Sequence, residues 1–207
     1  MDEIPKIGGP DSALWAAALI HHRQTILPKR LVEPGPDPSQ LEFILGAAAA
    51  APDHGELLPW RFVIIPARSR AALARVFAAA LLERDPSAST QQVEKAREKA
   101  FRAPVLMLAV VDVGTAADEI PAAERFISAG CAIQNLLLMA TALGFGSSLT
   151  SGKALQSDGL RNLFSLRPSE QATCFVAIGT PLGSRPKRLR PEPNRYISFL
   201  ALPGPQV

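Results

Sequence analysis

One segment governs what this chain can fold into: from Ala122 to Leu143 it is apolar on nearly every side, with Ala129, Gly130, Ala132 and Ala140 along it. A helix apolar all round has to be buried, and small residues let another backbone approach closely. The segment is therefore expected to be the central helix of a core or of a dimer interface, closed by Gly144-Phe-Gly146. The rest of the chain can supply that core. At 207 residues and 47% apolar content it is sized for one domain, 1–207, and disorder is excluded as its main state.

The neighbouring patterns supply partners for that helix. Val105 to Val111 is apolar throughout, which predicts a strand covered on both faces. Trp60 to Ile65 predicts another strand, and Ser147 to Ser151 and Thr173 to Ile178 two more. Ser12 is placed to cap a helix from Ala13 to about His22, with Leu14, Ala17, Ala18 and Ile20 inward. Asp37 caps the next, with Pro38 at its first position and Leu41, Ile44, Leu45 and Ala48 at helical spacing. Ser69 opens a third, with Leu73, Val76, Phe77 and Leu81 inward, and a charged helix spans roughly Gln91 to Ala100. Arg97 and Lys99 near its C-terminal end suit the dipole. A polar helix is expected near Ser157 to Phe164. From Pro181 the chain loses all period among Pro186, Pro191 and Pro193, so 181–207 is expected to be an extended arm on a partner subunit.

Charge narrows the function. The formal net charge is +3, yet Arg185, Lys187, Arg188, Arg190 and Arg195 against Glu192 make a local +4, leaving the remainder near −1. A nucleic-acid surface needs a broad basic stripe with aromatics to stack on, and aromatics are only 6% here. A small anionic ligand fits better than a polymer. Cys131 and Cys174 lie in apolar stretches and form no CxxC, which predicts core packing in a reducing compartment without a metal centre. The N-terminus lacks a basic and apolar leader pattern, and the longest apolar strand-like run is too short to span a bilayer; a soluble cytoplasmic protein is expected. There is no Rossmann fingerprint, P-loop or Gly-x-Ser-x-Gly elbow. Three clusters stand out instead: His22-Arg23-Gln24 with Lys29 and Arg30, the rigid loop Ala51-Pro-Asp-His54 leading to Trp60, and the basic arm. A helix-end cap, a plain turn and a solvated tail would account for each separately.

In order along the chain, His22-Arg23-Gln24, Ala51-Pro-Asp-His54, Pro59-Trp60-Arg-Phe-Val63, Ala129-Gly-Cys-Ala-Ile-Gln-Asn-Leu136, Ala142-Leu-Gly-Phe-Gly-Ser-Ser-Leu-Thr-Ser-Gly152 and Ile178-Gly-Thr-Pro181 resemble the nitroreductase family, in its compact bacterial branch. The resemblance covers about Ala13 to Phe199. It implies an α+β fold, with a central mixed sheet flanked by helices, in a homodimer holding flavin mononucleotide (FMN) at the subunit interface. Carried over by position, His22, Arg23 and Gln24 would meet the flavin phosphate and ribityl chain, and His54 would lie against the flavin. Leu149, Thr150 and Ser151 would line the isoalloxazine ring, and Arg188 or Arg190 would complete the phosphate clamp. Departures from the family pattern are His22 for Arg, Gln24 for a small hydroxyl residue, Leu58 for Gln, Glu56 for a small polar residue and Leu149 for Trp.

The activity so implied is a ping-pong transfer of hydride from NAD(P)H through flavin N5 to a small-molecule acceptor such as a nitroaromatic or quinone. The cofactor supplies the chemistry, so no catalytic side chain is named. Two alternatives stay open at this level: other reductive chemistry on the same fold (dehalogenation, ene reduction or flavin degradation), and a dimeric anion-binding module without enzymatic activity.

Overall fold

The structure is a computed structural model that describes residues 8–115, 117–183 and 189–200. Its centre is an antiparallel sheet of β1 (Leu31–Val32), β2 (Trp60–Ile64), β3 (Val105–Asp112), β4 (Gly146–Thr150) and β5 (Glu170–Pro181). The strands run in the order β1-β5-β3-β2, and β4 pairs with β5 as well. Every ladder is antiparallel, and the parallel component of the expected mixed sheet is a single bridge between Thr25 and Ser147.

The apolar run of β3 is explained by what covers it. Met107, Ala109 and Val111 face one core with Ile44, Trp60, Ala129, Ala132, Leu136 and Ala140. Leu106, Leu108 and Val110 face a second core with Leu73, Ala74, Leu160 and Phe175. The first layer is built by α2 (Pro38–Gly46) and α5 (Ala122–Ala142), and the second by α3 (Arg70–Arg84), α4 (Thr90–Glu98) and α6 (Asp158–Leu163). Asp37 caps α2 with Pro38 at its first position, as expected, and Gln40 completes a capping box that the sequence reading did not include. Ser89 caps α4 in the same way, so this helix starts at Thr90, one residue before the expected Gln91.

Two expectations are corrected. β5 begins at Glu170 rather than Thr173, because a bulge shifts the β3–β5 register around Thr173 and breaks the alternation that sequence reading relies on. The first helix, α1 (Pro10–His22), starts at its proline with Gly9 as N-cap, while the Ser12 hydroxyl turns back to Gly8. None of its residues is buried: Leu14 is 69% and Trp15 77% exposed. Phe43 on α2 and Ile127 on α5 are likewise open, at 60% and 66%. The side of α5 opposite the sheet therefore lacks cover within one chain.

Candidate functional site

The chain leaves α1 at His22, and Arg23 closes the helix by donating its N–H to the Leu19 carbonyl. Three residues later it is running beside β4: Thr25 bridges Ser147 in parallel, and Ile26 N–H donates to the Ser147 carbonyl at 2.9 Å. Parallel segments travel the same way, so both arrive at one place. There, Leu27 to Lys29 and Thr150 to Leu155 form two walls of a cavity of about 790 Å³. Its floor is Leu106 of β3 and Phe175 of β5. The far wall is helical: Phe77, Leu81 and Arg84 of α3 lie at helical spacing, as do Gln92, Lys95 and Ala96 of α4 and Lys99 just beyond it.

The electrostatics of this cavity are one-sided. Lys29, Arg84, Lys95, Lys99, Arg102 and Lys153 line it, and no Asp or Glu does. Apolar floor, a few convergent polar groups and this volume are the attributes of a small-molecule site. The wall formed by Lys99 and Arg102 is held in place from inside. The buried Arg70 guanidinium donates to the carbonyls of Ile65 (2.8 Å), Ala100 (2.8 Å), Arg102 (3.4 Å) and Pro104 (3.1 Å). With no carboxylate beside it, burial pulls its pKa below the usual arginine value.

Of the residues expected from sequence, Thr150 and Ser151 line the cavity. Leu149 is on the same strand, but its side chain alternates away from Thr150 and is half exposed. His22, Arg23 and Gln24 sit upstream of the cavity wall at the end of α1. Arg190 joins them from the arm, its guanidinium donating to the Arg23 carbonyl at 3.0 Å. Arg188 lies outside the described residues.

His54 is elsewhere, on the loop packed against the start of α5, where its Nδ1 meets Glu124 Oε2 at 2.8 Å. That loop is tightly clamped. Leu58 N–H donates to Asp53 Oδ2 at 2.7 Å, and the Ser128 hydroxyl of α5 donates to the Pro52 carbonyl at 2.6 Å. Glu56 and Leu58 are held at φ of 52° and 47°, a left-handed conformation unfavourable outside glycine. A β-carbon on Gly55 (φ 72°) would come within 2.7 Å of Ile120. Among the described residues no group of three His, Cys, Asp or Glu side chains is gathered to hold a metal. Burial pushes the Cys174 thiol up to about 11, so it is inert as a nucleophile near neutral pH. No helix among the described residues is long and apolar enough to cross a membrane.

Sequence reading missed Arg84, Lys95, Arg102 and Lys153, and took Lys99 as a helix-end charge only. The available signal was the spacing of Gln92, Lys95 and Lys99, which puts them on one helical face beside a separate one carrying Glu94 and Glu98.

Comparison with known proteins agrees with this architecture. The nitroreductase family model matches residues 22–180, and the chain belongs to that family. A Haemophilus influenzae relative, provisionally named an NAD(P)H nitroreductase, is 35% identical over 173 residues, covering 83% of this chain and 93% of the relative. YdjA of Escherichia coli K12, with the same provisional name, is 32% identical over 171 residues, covering 82% and 92%. Among solved structures, a nitroreductase-like protein from Bacillus cereus superposes with a TM-score of 0.78 at 15% identity, covering 96% of this chain and 99% of that one. Iodotyrosine deiodinase, solved with FMN and 3-iodo-L-tyrosine, has a TM-score of 0.65 at 22% identity, covering 88% and 99%.

Proposed function

We propose that this protein is an FMN-dependent oxidoreductase that takes reducing equivalents from NAD(P)H and passes them to a small acceptor such as a nitroaromatic or quinone. The observation that carries this reading is the acid-free cationic cavity with an apolar floor, lined by the Thr150–Ser151 loop. The donor set fits a flavin mononucleotide: cations for a phosphate and for the negative charge of a reduced ring, backbone N–H groups for ring edges, and apolar side chains for a flat face. Bound flavin would supply two-electron chemistry by accepting hydride at N5.

The chain's own residues bind and orient. His22, Arg23, Gln24 and Arg190 would hold the phosphate end, with Arg188 as a further arm candidate. Thr150 and Ser151 would border the ring, with Leu149 contributing through its backbone groups. Lys29 and Lys153 on the two near walls, and Lys99 on the far one, would stabilise negative charge, which favours the reduced state. His54, on its clamped loop, would reach the flavin of a second subunit. The uncovered apolar side chains of α1, α2 and α5, and the almost fully exposed Leu189, Phe199 and Leu200 of the arm, support a homodimer.

The visible spectrum of the freshly purified protein tests the cofactor, with the released chromophore identified chromatographically. Flavin bands and released FMN are expected; a colourless protein that refuses added FMN would leave the anion-binding module as the better reading. An anaerobic panel of nitroaromatics, quinones and halogenated aromatics then assigns the acceptor.

Arg23→Ala is expected to weaken FMN binding by about 1–3 kcal/mol, the loss of a charge-assisted hydrogen bond. An unchanged dissociation constant in a flavin titration would remove Arg23 from the phosphate site. Sedimentation is expected to show a dimer, and Trp15→Asp to shift it toward monomer with loss of flavin. A flavin-loaded monomer would contradict the interface site.

A further inference from the structure

We propose that the far wall of the cavity, Arg84 together with Lys95, recognises a phosphate on the second ligand, so that the reduced nicotinamide donor carrying a 2′-phosphate is used in preference to the donor without it. The inference rests on the flavin reading above.

Charge and placement carry it. Of the six cations lining the cavity, only Arg102 has a carboxylate near it, Glu98 at 3.9 Å. Among the described residues Arg84 and Lys95 have no ion-pair partner, although Arg97, two residues on from Lys95, is paired with Glu94 at 3.3 Å. A cation in the last turn of a helix is commonly there to oppose the dipole. Here that role does not explain the direction. Arg84 continues the Phe77 and Leu81 face of α3, and Lys95 continues the Gln92 face of α4, so both cations are turned to the same apolar-floored space.

The cofactor leaves them uncompensated. FMN carries one phosphate, which the flavin reading assigns to the end of α1 and to Arg190, none of which lines the wall that α3 and α4 form. Cations gathered with no carboxylate among them set up a positive potential that favours the more anionic of two competing ligands. The two nicotinamide donors differ by one phosphate monoester, which is close to doubly charged at neutral pH. Discrimination between them therefore falls to Arg84 and Lys95.

Two readouts test this on the protein as purified, with flavin content measured first by absorbance. At low ionic strength kcat/KM for the phosphorylated donor is expected to exceed that for the other by about tenfold or more, and the ratio to shrink with added salt. In Arg84→Gln/Lys95→Gln the ratio is expected to fall toward one with flavin retained; Lys95→Gln alone, at an exposed position, serves if the double variant is unstable. By calorimetry, adenosine 2′,5′-bisphosphate is expected to bind about tenfold tighter than adenosine 5′-monophosphate, and the variants to erase the difference. A yellow protein with equal ratios and equal nucleotide affinities, or a preference that the variants leave unmoved, would overturn the proposal. A colourless protein would instead overturn the flavin reading, and the nucleotide titrations would then decide this one alone.

Discussion

Arg70→Ala is expected to lower the melting temperature by roughly 8–16 °C, a loss of about 4 kcal/mol for a domain of this size. Four carbonyls depend on that guanidinium: Ile65 just after β2, Ala100 and Arg102 after α4, and Pro104 just before β3. The arginine is 6% exposed, so removing it leaves those oxygens without a partner and water with poor access to replace it. Each orphaned carbonyl costs about 1–3 kcal/mol, relieved where the chain can shift outward. Against a total stability of about 5–15 kcal/mol this is a large fraction. Arg70→Lys should recover only part, because an ammonium cannot span acceptors arranged for a planar fork. Thermal unfolding followed by circular dichroism checks it, with the exposed Arg68→Ala as a control expected to change little. A drop of only a degree or two in Arg70→Ala would mean that the 99–104 segment is held by something else. Since Lys99 and Arg102 ride on that segment, the variant should also lose affinity for any anion in the cavity.

The second large effect is on acid stability. Glu170 opens β5 with its side chain 2% exposed, and both its oxygens are bonded by Arg61, at 2.7 and 3.0 Å. Arg167 adds its backbone N–H at 2.9 Å and its guanidinium at 3.2 Å. The Arg61 guanidinium, ahead of burial and the Arg167 contacts, holds the Glu170 carboxyl down at about 2 from an ordinary 4.5. A folded-state pKa below the unfolded one means stability that is complete above pH 4.5 and is lost as pH falls toward 2. Arg61 is 41% exposed, so water screens part of the attraction, and about 2–3 kcal/mol is the expected loss over that window. Glu170→Gln should show a comparable deficit at neutral pH and converge with the unmodified protein near pH 2. Parallel stability curves across that range would exclude Glu170 as the titrating group. Arg61→Met should be at least as damaging at neutral pH, because it strands a buried carboxylate.

Both networks sit at junctions rather than in regular elements, which is why neither was visible in the amino-acid order. In sequence Arg70 only follows Ser69 at the expected start of a helix, and Glu170 falls before the strand expected from Thr173. Their burial follows from which segments meet them: 65, 100, 102 and 104 in one case, 61 and 167 in the other. The bulge at Thr173 hid the start of β5 for a related reason, since one extra residue reverses the in–out alternation.

Much else was legible without coordinates. The apolar run of β3 predicts cover on both faces, and two cores flank it. The long apolar helix is found at Ala122–Ala142, and Gly144, at a φ of 85°, ends it in the left-handed conformation that its residue type predicts. Asp37 with Pro38 after it predicts the cap of α2. The ordered set of short motifs also pointed to the family that the chain belongs to. These features are local: a period, a cap or a turn is written in neighbouring residues and is decided over a few ångströms.

The tertiary structure alone decided the cavity. Lys29, Arg84, Lys95, Lys99 and Lys153 come from three separate 3-10 turns and two helices, and each looks like a solvated surface charge where it stands in the chain. Only packing α3 and α4 across Leu106 and Phe175 turns them toward one space. The same packing left α1 bare and separated His54 from Thr150 and Ser151 within one chain. Side-chain periodicity records which face of an element is apolar. The summed field of distant charges depends on how those elements converge, and that is set by long-range contacts with no periodic trace.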